Sequence, residues 1–101
     1  MQFVSISQRR KGFAEEAYAG LAEQEMERAR ELYSDGLIRQ IWHRADIPGA
    51  CLLWEAENEE QVRELWKTFP FAGAGMTEFT LVPLKPYGGF RPTKPPRARR
   101  D

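Results

Sequence analysis

The chain has 101 residues, a length that predicts a single domain. Of these residues 42% are hydrophobic and 12% aromatic, which is enough to build a core. No apolar run approaches the roughly 20 residues that span a bilayer, so no membrane contact is predicted. The basic cluster near the N-terminus follows the first apolar residues, which is the reverse of a secretory signal. The single cysteine, Cys51, cannot form an internal disulfide. These features together predict a reduced, cytoplasmic protein.

The formal net charge is zero, but the charges are unevenly distributed. Residues 85–101 hold six Lys or Arg and one acid, which leaves nine basic and fourteen acidic residues in the rest of the chain. The sequence therefore predicts a domain over residues 1–84 and a basic tail, rich in Pro and Gly, over residues 85–101. Nucleic-acid binding is disfavoured because the acidic body would repel phosphates. The alternatives for the tail are a solubilising extension or a segment that packs along a second copy of the chain.

The first half of the chain predicts a strand, a helix and a second strand. The stretch "QFVSIS" alternates like a strand. From about residue 14 to residue 35, apolar residues recur at helical spacing. Gly36 is well placed to end that helix, because the residue after a helix often needs a left-handed conformation. The stretch "LIRQIWHR", residues 37–44, then alternates as a strand with Arg39 and His43 on one side.

The second half repeats this pattern in the order strand, helix, strand. A turn centred on Pro48 and Gly49 leads into "CLLWEAE". Asn58 is a suitable N-cap for the second helix, which "PFAGAG" ends. "MTEFTLVPL" is the fourth strand. The resulting order is that of the split βαβ arrangement, an α+β fold with a four-stranded antiparallel sheet and helices on one face.

Helices on one face leave the other face of the sheet uncovered. The predicted strands carry large apolar residues: Trp42, Trp54, Phe79 and Leu81. Water is a poor partner for such a surface. We therefore expect two sheets to pack together in a homodimer or a higher homo-oligomer.

The second strand carries the strongest candidate site. His43 is the only histidine, and an imidazole titrates near pH ~6.5, so it can give or take a proton around neutrality. Arg39 can hold a carboxylate through two parallel hydrogen bonds, and Trp42 can form a cavity wall. Together they predict a site for a small anionic substrate. The alternative for His43 is an ordinary strand-end residue at the subunit edge.

Two carboxylates in apolar stretches, Glu55 and Glu78, are further candidates for proton transfer, since an apolar wall raises a carboxyl pKa. Their alternative is ion pairing across strands with arginine. Tyr33 can present a hydroxyl at a cavity mouth, although helical tyrosines often belong to the core. His43 and Cys51 alone do not make a structural zinc site.

The residue order also resembles the muconolactone isomerase family. The resemblance rests on Gly36 after a helix, the basic tryptophan-containing strand with Arg39 and Trp42, and the acidic end of the next strand at Glu55. It also includes "FPF" and the "LVPL" that ends the last strand. About two-thirds of the chain takes part.

This resemblance implies a ferredoxin-like subunit that pairs through its sheet into a dimeric α+β barrel. It also implies a cofactor-free isomerase that moves a proton on an unsaturated lactone bearing a carboxylate, which Arg39 would hold. Two alternatives stay open: a cofactor-free monooxygenase or cyclase on an aromatic polyketide-like substrate, and a non-catalytic dimeric binding module. An enclosed cavity at Arg39 and His43 would favour an enzyme.

Overall fold

The computed structural model describes residues 1–90; most of the predicted basic tail, residues 91–101, lies outside the described residues. Over residues 1–90 the predicted order of strands and helices is confirmed. The elements are β1 (Gln2–Arg9), α1 (Glu15–Ser34), β2 (Ile38–His43), β3 (Ala50–Glu55), α2 (Glu59–Trp66), α3 (Pro70–Gly73) and β4 (Thr77–Pro83). The segment predicted to break the second helix forms the short helix α3. A 3-10 turn at Gly88–Phe90 follows β4.

The four strands form one antiparallel sheet in the order β2-β3-β1-β4. The ferredoxin-like α+β layout is therefore confirmed, with β1 and β3 at the centre. Gly36 has a φ of 80°, as expected for a helix-ending glycine. Asn58 caps α2 by accepting a hydrogen bond from the Gln61 N–H at 2.8 Å. Local sequence signals thus mark the end of α1 at Gly36 and the start of α2 at Asn58.

The core lies between the sheet and the helices. Its fully buried side chains come from both layers and include Phe3, Leu32, Ile38, Trp54 and Val62. The indole N–H of Trp54 donates to Ser5 Oγ at 2.9 Å, which satisfies a polar group that burial would otherwise penalise.

Strand β2 departs from strict alternation. Its pairing with β3 shifts between Ile38 and Gln40, so a bulge interrupts the strand at Arg39. Ile38 is fully buried opposite Trp54, and His43 pairs with Ala50 further along β3. Ile38 and His43 therefore share the helix-facing side despite their odd spacing. Strict alternation over residues 37–44 predicts opposite sides for these two residues, and that prediction is wrong because one extra residue reverses the alternation.

The uncovered side of the sheet is apolar, but of the four residues expected there only Trp42 lies on it. Trp54, Phe79 and Leu81 face the helices and pack in or against the core. The side away from the helices, here called the outer sheet face, carries instead Val4, Ile6, Trp42, Leu53 and Val82. Trp42 is 48% exposed there. No helix within residues 1–90 combines the length and apolarity needed to cross a membrane.

Candidate functional site

A cavity of about 470 Å³ lies between the sheet and the helices, within the size range of small-molecule sites. It sits where β1 and β2 end and β3 and β4 begin, and helix α1 closes one side. Its wall is mainly apolar, with Ile41, Leu52, Trp66, Phe69 and Phe71. The polar groups of the wall are Ser7, Arg9, Glu25, Arg30, His43 and Thr77. An apolar wall with a few polar groups is the usual form of a site for a small organic molecule.

Glu25 is the carboxylate of this cavity. It lies on the same stripe of α1 as Tyr18 and Leu32, which are both buried. Its Oε1 accepts a hydrogen bond from the Phe71 N–H at 2.9 Å, which ties α1 to α3. Burial raises the pKa of Glu25, and the Phe71 hydrogen bond only partly offsets that effect. A raised pKa makes the ionised carboxylate a stronger base, which favours its acceptance of a proton from a ligand.

Arg9 places a cation in the cavity wall at the end of β1. Its Nη1 and Nη2 donate to the two carboxylate oxygens of Glu15 at 2.8 and 3.4 Å. The guanidinium carbon lies 3.9 Å from the ring centroid of Tyr18. The hydrogen bond with Glu15 raises the pKa of Arg9, and the same contact lowers the pKa of Glu15. Tyr18 is held in place because its buried hydroxyl donates to the Met76 carbonyl at 2.8 Å.

The turn between β2 and β3 is fastened to β1 by hydrogen bonds at Ser7. Ser7 Oγ accepts from the Ala50 N–H at 3.1 Å and donates to the Ala50 carbonyl at 3.3 Å. Arg44 Nη1 donates to the Ser7 carbonyl at 3.3 Å. Arg44 also holds Asp46 through two hydrogen bonds, and these, with the Ile47 N–H, lower the pKa of Asp46 to about 2.

Gly49 permits this close approach of the turn to β1. A Cβ atom added at Gly49 would lie 2.1 Å from the Ser7 carbonyl oxygen and 3.0 Å from Arg44 Cδ. Glycine is required here because a side chain would not fit, and not because of backbone conformation, since the φ of Gly49 is not positive. Pro48 and Gly49 both line the cavity, so the packing of this turn shapes the site directly.

Of the six residues proposed from the sequence, His43 is the one that lines this cavity. It stands at the end of β2 opposite Ala50, with its ring on the helix-facing side of the sheet. Arg39 is exposed at the β2 bulge, so the structure does not bring Arg39 and His43 into one cavity. Trp42 lies on the outer sheet face, paired with Cys51.

The other three lie elsewhere on the described surface. Glu55 is at the far end of β3, where Oε2 lies 3.0 Å from the Met1 amino group. Glu78 accepts from Gln8 Nε2 at 3.0 Å and lies 3.6 Å from Arg10 Nη1, beside a shallower depression. Tyr33 is 61% exposed on α1.

Two residues of the site were missed although the sequence carried a signal for each. Glu25 follows Tyr18 by seven residues and precedes Leu32 by seven, so it falls on the apolar stripe of α1. Arg9 continues the alternation of Phe3, Ser5 and Ser7 on the helix-facing side of β1. A charged residue at a core-facing position is a stronger functional signal than one on an exposed strand.

Within residues 1–90, no group of three or more His, Cys, Asp or Glu side chains is arranged to hold a metal ion. Glu25 and His43 share the cavity, and Cys51 lies on the opposite side of the sheet.

The fold and the cavity define a small ferredoxin-like protein with a largely apolar cavity between its sheet and its helices. Comparison with known proteins gives a more specific class. The family model described as muconolactone delta-isomerase matches residues 2–89. The chain therefore belongs to the muconolactone delta-isomerase family, as its residue order had suggested.

A similar solved structure is that of 5-chloro-2-hydroxyhydroquinone dehydrochlorinase (TftG) from Burkholderia phenoliruptrix AC1100, in complex with 2,5-dihydroxybenzoquinone. The identity is 19%, the TM-score is 0.70, and the match covers 84% of this chain and 94% of that chain. At this identity the likeness confirms the fold. The search of curated proteins found no match.

Proposed function

We propose that the protein is a cofactor-independent isomerase that moves a proton on a small lactone or aromatic-derived metabolite bearing a carboxylate. The observation that carries the proposal is the joint presence of Glu25, His43 and Arg9 in one largely apolar cavity. Membership of the muconolactone delta-isomerase family supports the same reaction class. The cavity volume of about 470 Å³ accommodates a ligand with one small ring and a side chain.

The proposed reaction shifts a ring double bond. Glu25, as the ionised carboxylate, accepts a proton from a ring carbon, and the electrons of the broken C–H bond move to form the new double bond. The electrons of the original double bond then bind a proton at a second ring carbon, so the double bond shifts with no net oxidation. His43, on the opposite wall, serves as the second acid-base group. Glu25 takes the role expected from the sequence for Glu55 or Glu78, because those two carboxylates do not line the cavity.

The proposed anchor for the carboxylate of the substrate is Arg9. A guanidinium has five N–H donors, and the contacts with Glu15 leave others for a ligand. The Glu15 side chain is 74% exposed, so water and salt weaken the Arg9–Glu15 ion pair. Arg30 also lines the cavity and adds positive charge. Arg39, the anchor expected from the sequence, stands outside this cavity at the β2 bulge.

The test is the isomerisation of muconolactone, followed by absorbance, with the wild type and Glu25→Gln. Glutamine keeps an oxygen to accept the Phe71 N–H but cannot take a proton, so kcat should fall by about 10²- to 10⁴-fold. Glu27→Gln is the matched control, because Glu27 lies on the same helix and is exposed. Equal rates for Glu25→Gln and wild type would refute the role of Glu25. Absence of turnover and of binding in the wild type would refute the proposed substrate class.

We also propose that two copies pack through the outer sheet face, which supplies the homodimer expected from the sequence. Ile6, Trp42 and Val82 are 41%, 48% and 43% exposed there, and they form one apolar surface over three of the four strands. Trp42→Glu would place a charge on this surface and should convert the dimer to a monomer in light scattering. Tyr33→Glu, on an exposed helical position, is the control. A wild type that is monomeric at high protein concentration would refute this assembly.

A further inference from the structure

One polar atom in the cavity wall lacks a partner. Of the buried side-chain oxygen and nitrogen atoms that the structure describes within residues 1–90, Thr77 Oγ1 is the one without a hydrogen bond. Leaving a buried hydroxyl unpaired is unfavourable, and native proteins rarely do so without a reason. Valine has nearly the shape of threonine and a strong preference for strands, so packing alone does not explain a hydroxyl at this position.

Thr77 lies beside the proposed anion anchor. It is the first residue of β4, and its register partner on β1 is Arg9. The Cβ atoms of directly opposed residues in an antiparallel pair are about 4.5–5.5 Å apart. Both residues also line the same cavity. Thr77 therefore lies beside Arg9 in the sheet, on the wall where the substrate carboxylate is proposed to bind.

From this juxtaposition we infer that the Thr77 hydroxyl is a specificity-determining donor, which binds one oxygen of the substrate carboxylate while Arg9 binds the other. The inference rests on the proposed function and deepens it. A carboxylate presents two oxygens, each able to accept a hydrogen bond. Thr77 Oγ1 is itself buried, so the proposed contact requires a change of the Thr77 χ1 rotamer that brings the hydroxyl to the cavity surface. Binding of a carboxylate would then supply the partner that Thr77 Oγ1 lacks. A ligand without the carboxylate would leave it unpaired.

The experiment measures calorimetric binding of two probes to Thr77→Val and wild type. One probe is muconolactone, and the other is the methyl lactone that has the same ring but no carboxylate. Because hydrogen bonds to charged groups are stronger than neutral ones, Thr77→Val should weaken muconolactone binding by about tenfold or more and leave the methyl lactone unaffected. Thr77→Ser retains the hydroxyl and should bind muconolactone as the wild type does.

Thr80→Val is the matched control, since it makes the same chemical change on the same strand but on the outer sheet face, away from the cavity. Melting curves establish that each variant is folded. Unchanged muconolactone affinity in Thr77→Val would overturn the role of Thr77 and leave the proposed function intact. An equal loss of affinity for both probes would also overturn it, because the contact would not be with the carboxylate. Failure of the wild type to bind muconolactone would overturn both proposals together.

Discussion

Gly49→Ala is expected to destabilise the protein and distort the site, although it adds only one methyl group. The added Cβ would lie 2.1 Å from the Ser7 carbonyl oxygen, whereas ordinary contact begins at 3.4 Å. The turn and β1 must therefore separate by more than about 1 Å. Such a shift strains the two Ser7–Ala50 hydrogen bonds and the Arg44–Ser7 hydrogen bond, which are already 3.1–3.3 Å long.

The magnitude follows from these three contacts. At about 1 kcal/mol for each hydrogen bond, the loss is about 3 kcal/mol, out of a total stability of about 5–15 kcal/mol for a typical domain. For a chain of this length, such a loss lowers Tm by about 12–24 °C. Urea unfolding and thermal melting followed by circular dichroism measure both quantities.

Gly20→Ala is the control for this prediction. Gly20 lies within α1, and a Cβ there would meet nothing within 4 Å. Alanine should therefore stabilise the helix by about 0.5–1 kcal/mol. A free energy of unfolding within about 0.5 kcal/mol of the wild type for Gly49→Ala would refute the expected loss of these hydrogen bonds. The turn would then have accommodated the methyl group without breaking its hydrogen bonds to β1.

Three further predictions concern single residues. Because burial raises the pKa of Glu25, the free energy of unfolding should fall as pH rises from about 4.3 through the folded-state pKa, and Glu25→Gln should lack that fall in urea titrations at successive pH values. The pKa of Asp46 is lowered to about 2, so its contribution to the free energy of unfolding should be present above about pH 4 and lost as pH falls toward 2. In acid titrations Asp46→Asn should lose less free energy of unfolding over this window than the wild type. An identical acid profile would contradict the role of the Arg44–Asp46 ion pair. Ser5→Ala should cost about 1–3 kcal/mol, because the Trp54 N–H is buried and loses its acceptor; an unchanged urea midpoint would contradict this.

The order of the elements could be predicted because each is encoded locally. Apolar spacing marks α1, Gly36 ends it, and Asn58 begins α2. The faces of β2 could not be predicted in the same way. The bulge at Arg39 is a property of the pairing with β3, and a single extra residue moves Ile38 to the side of the sheet that His43 occupies.

The candidate site was only partly predictable. His43 was proposed from its chemistry and lines the cavity, but the structure does not bring the other five proposed residues into it. Glu25 and Arg9 carried a signal in their core-facing positions. Thr77 carried none, because a threonine early in a strand is common; its proposed role rests on the missing partner of its hydroxyl and on its place opposite Arg9.

The proposed reaction requires the cavity with Glu25, Arg9 and His43 to bind a carboxylate-bearing lactone. It is tested most directly by proton NMR of His43 during titration with muconolactone, with acetate as a control for a general carboxylate effect. His43 is the only histidine, so its ring protons need no assignment by mutation. We expect a saturable shift of these resonances with muconolactone and none with acetate. Resonances that stay unchanged at millimolar muconolactone would contradict it.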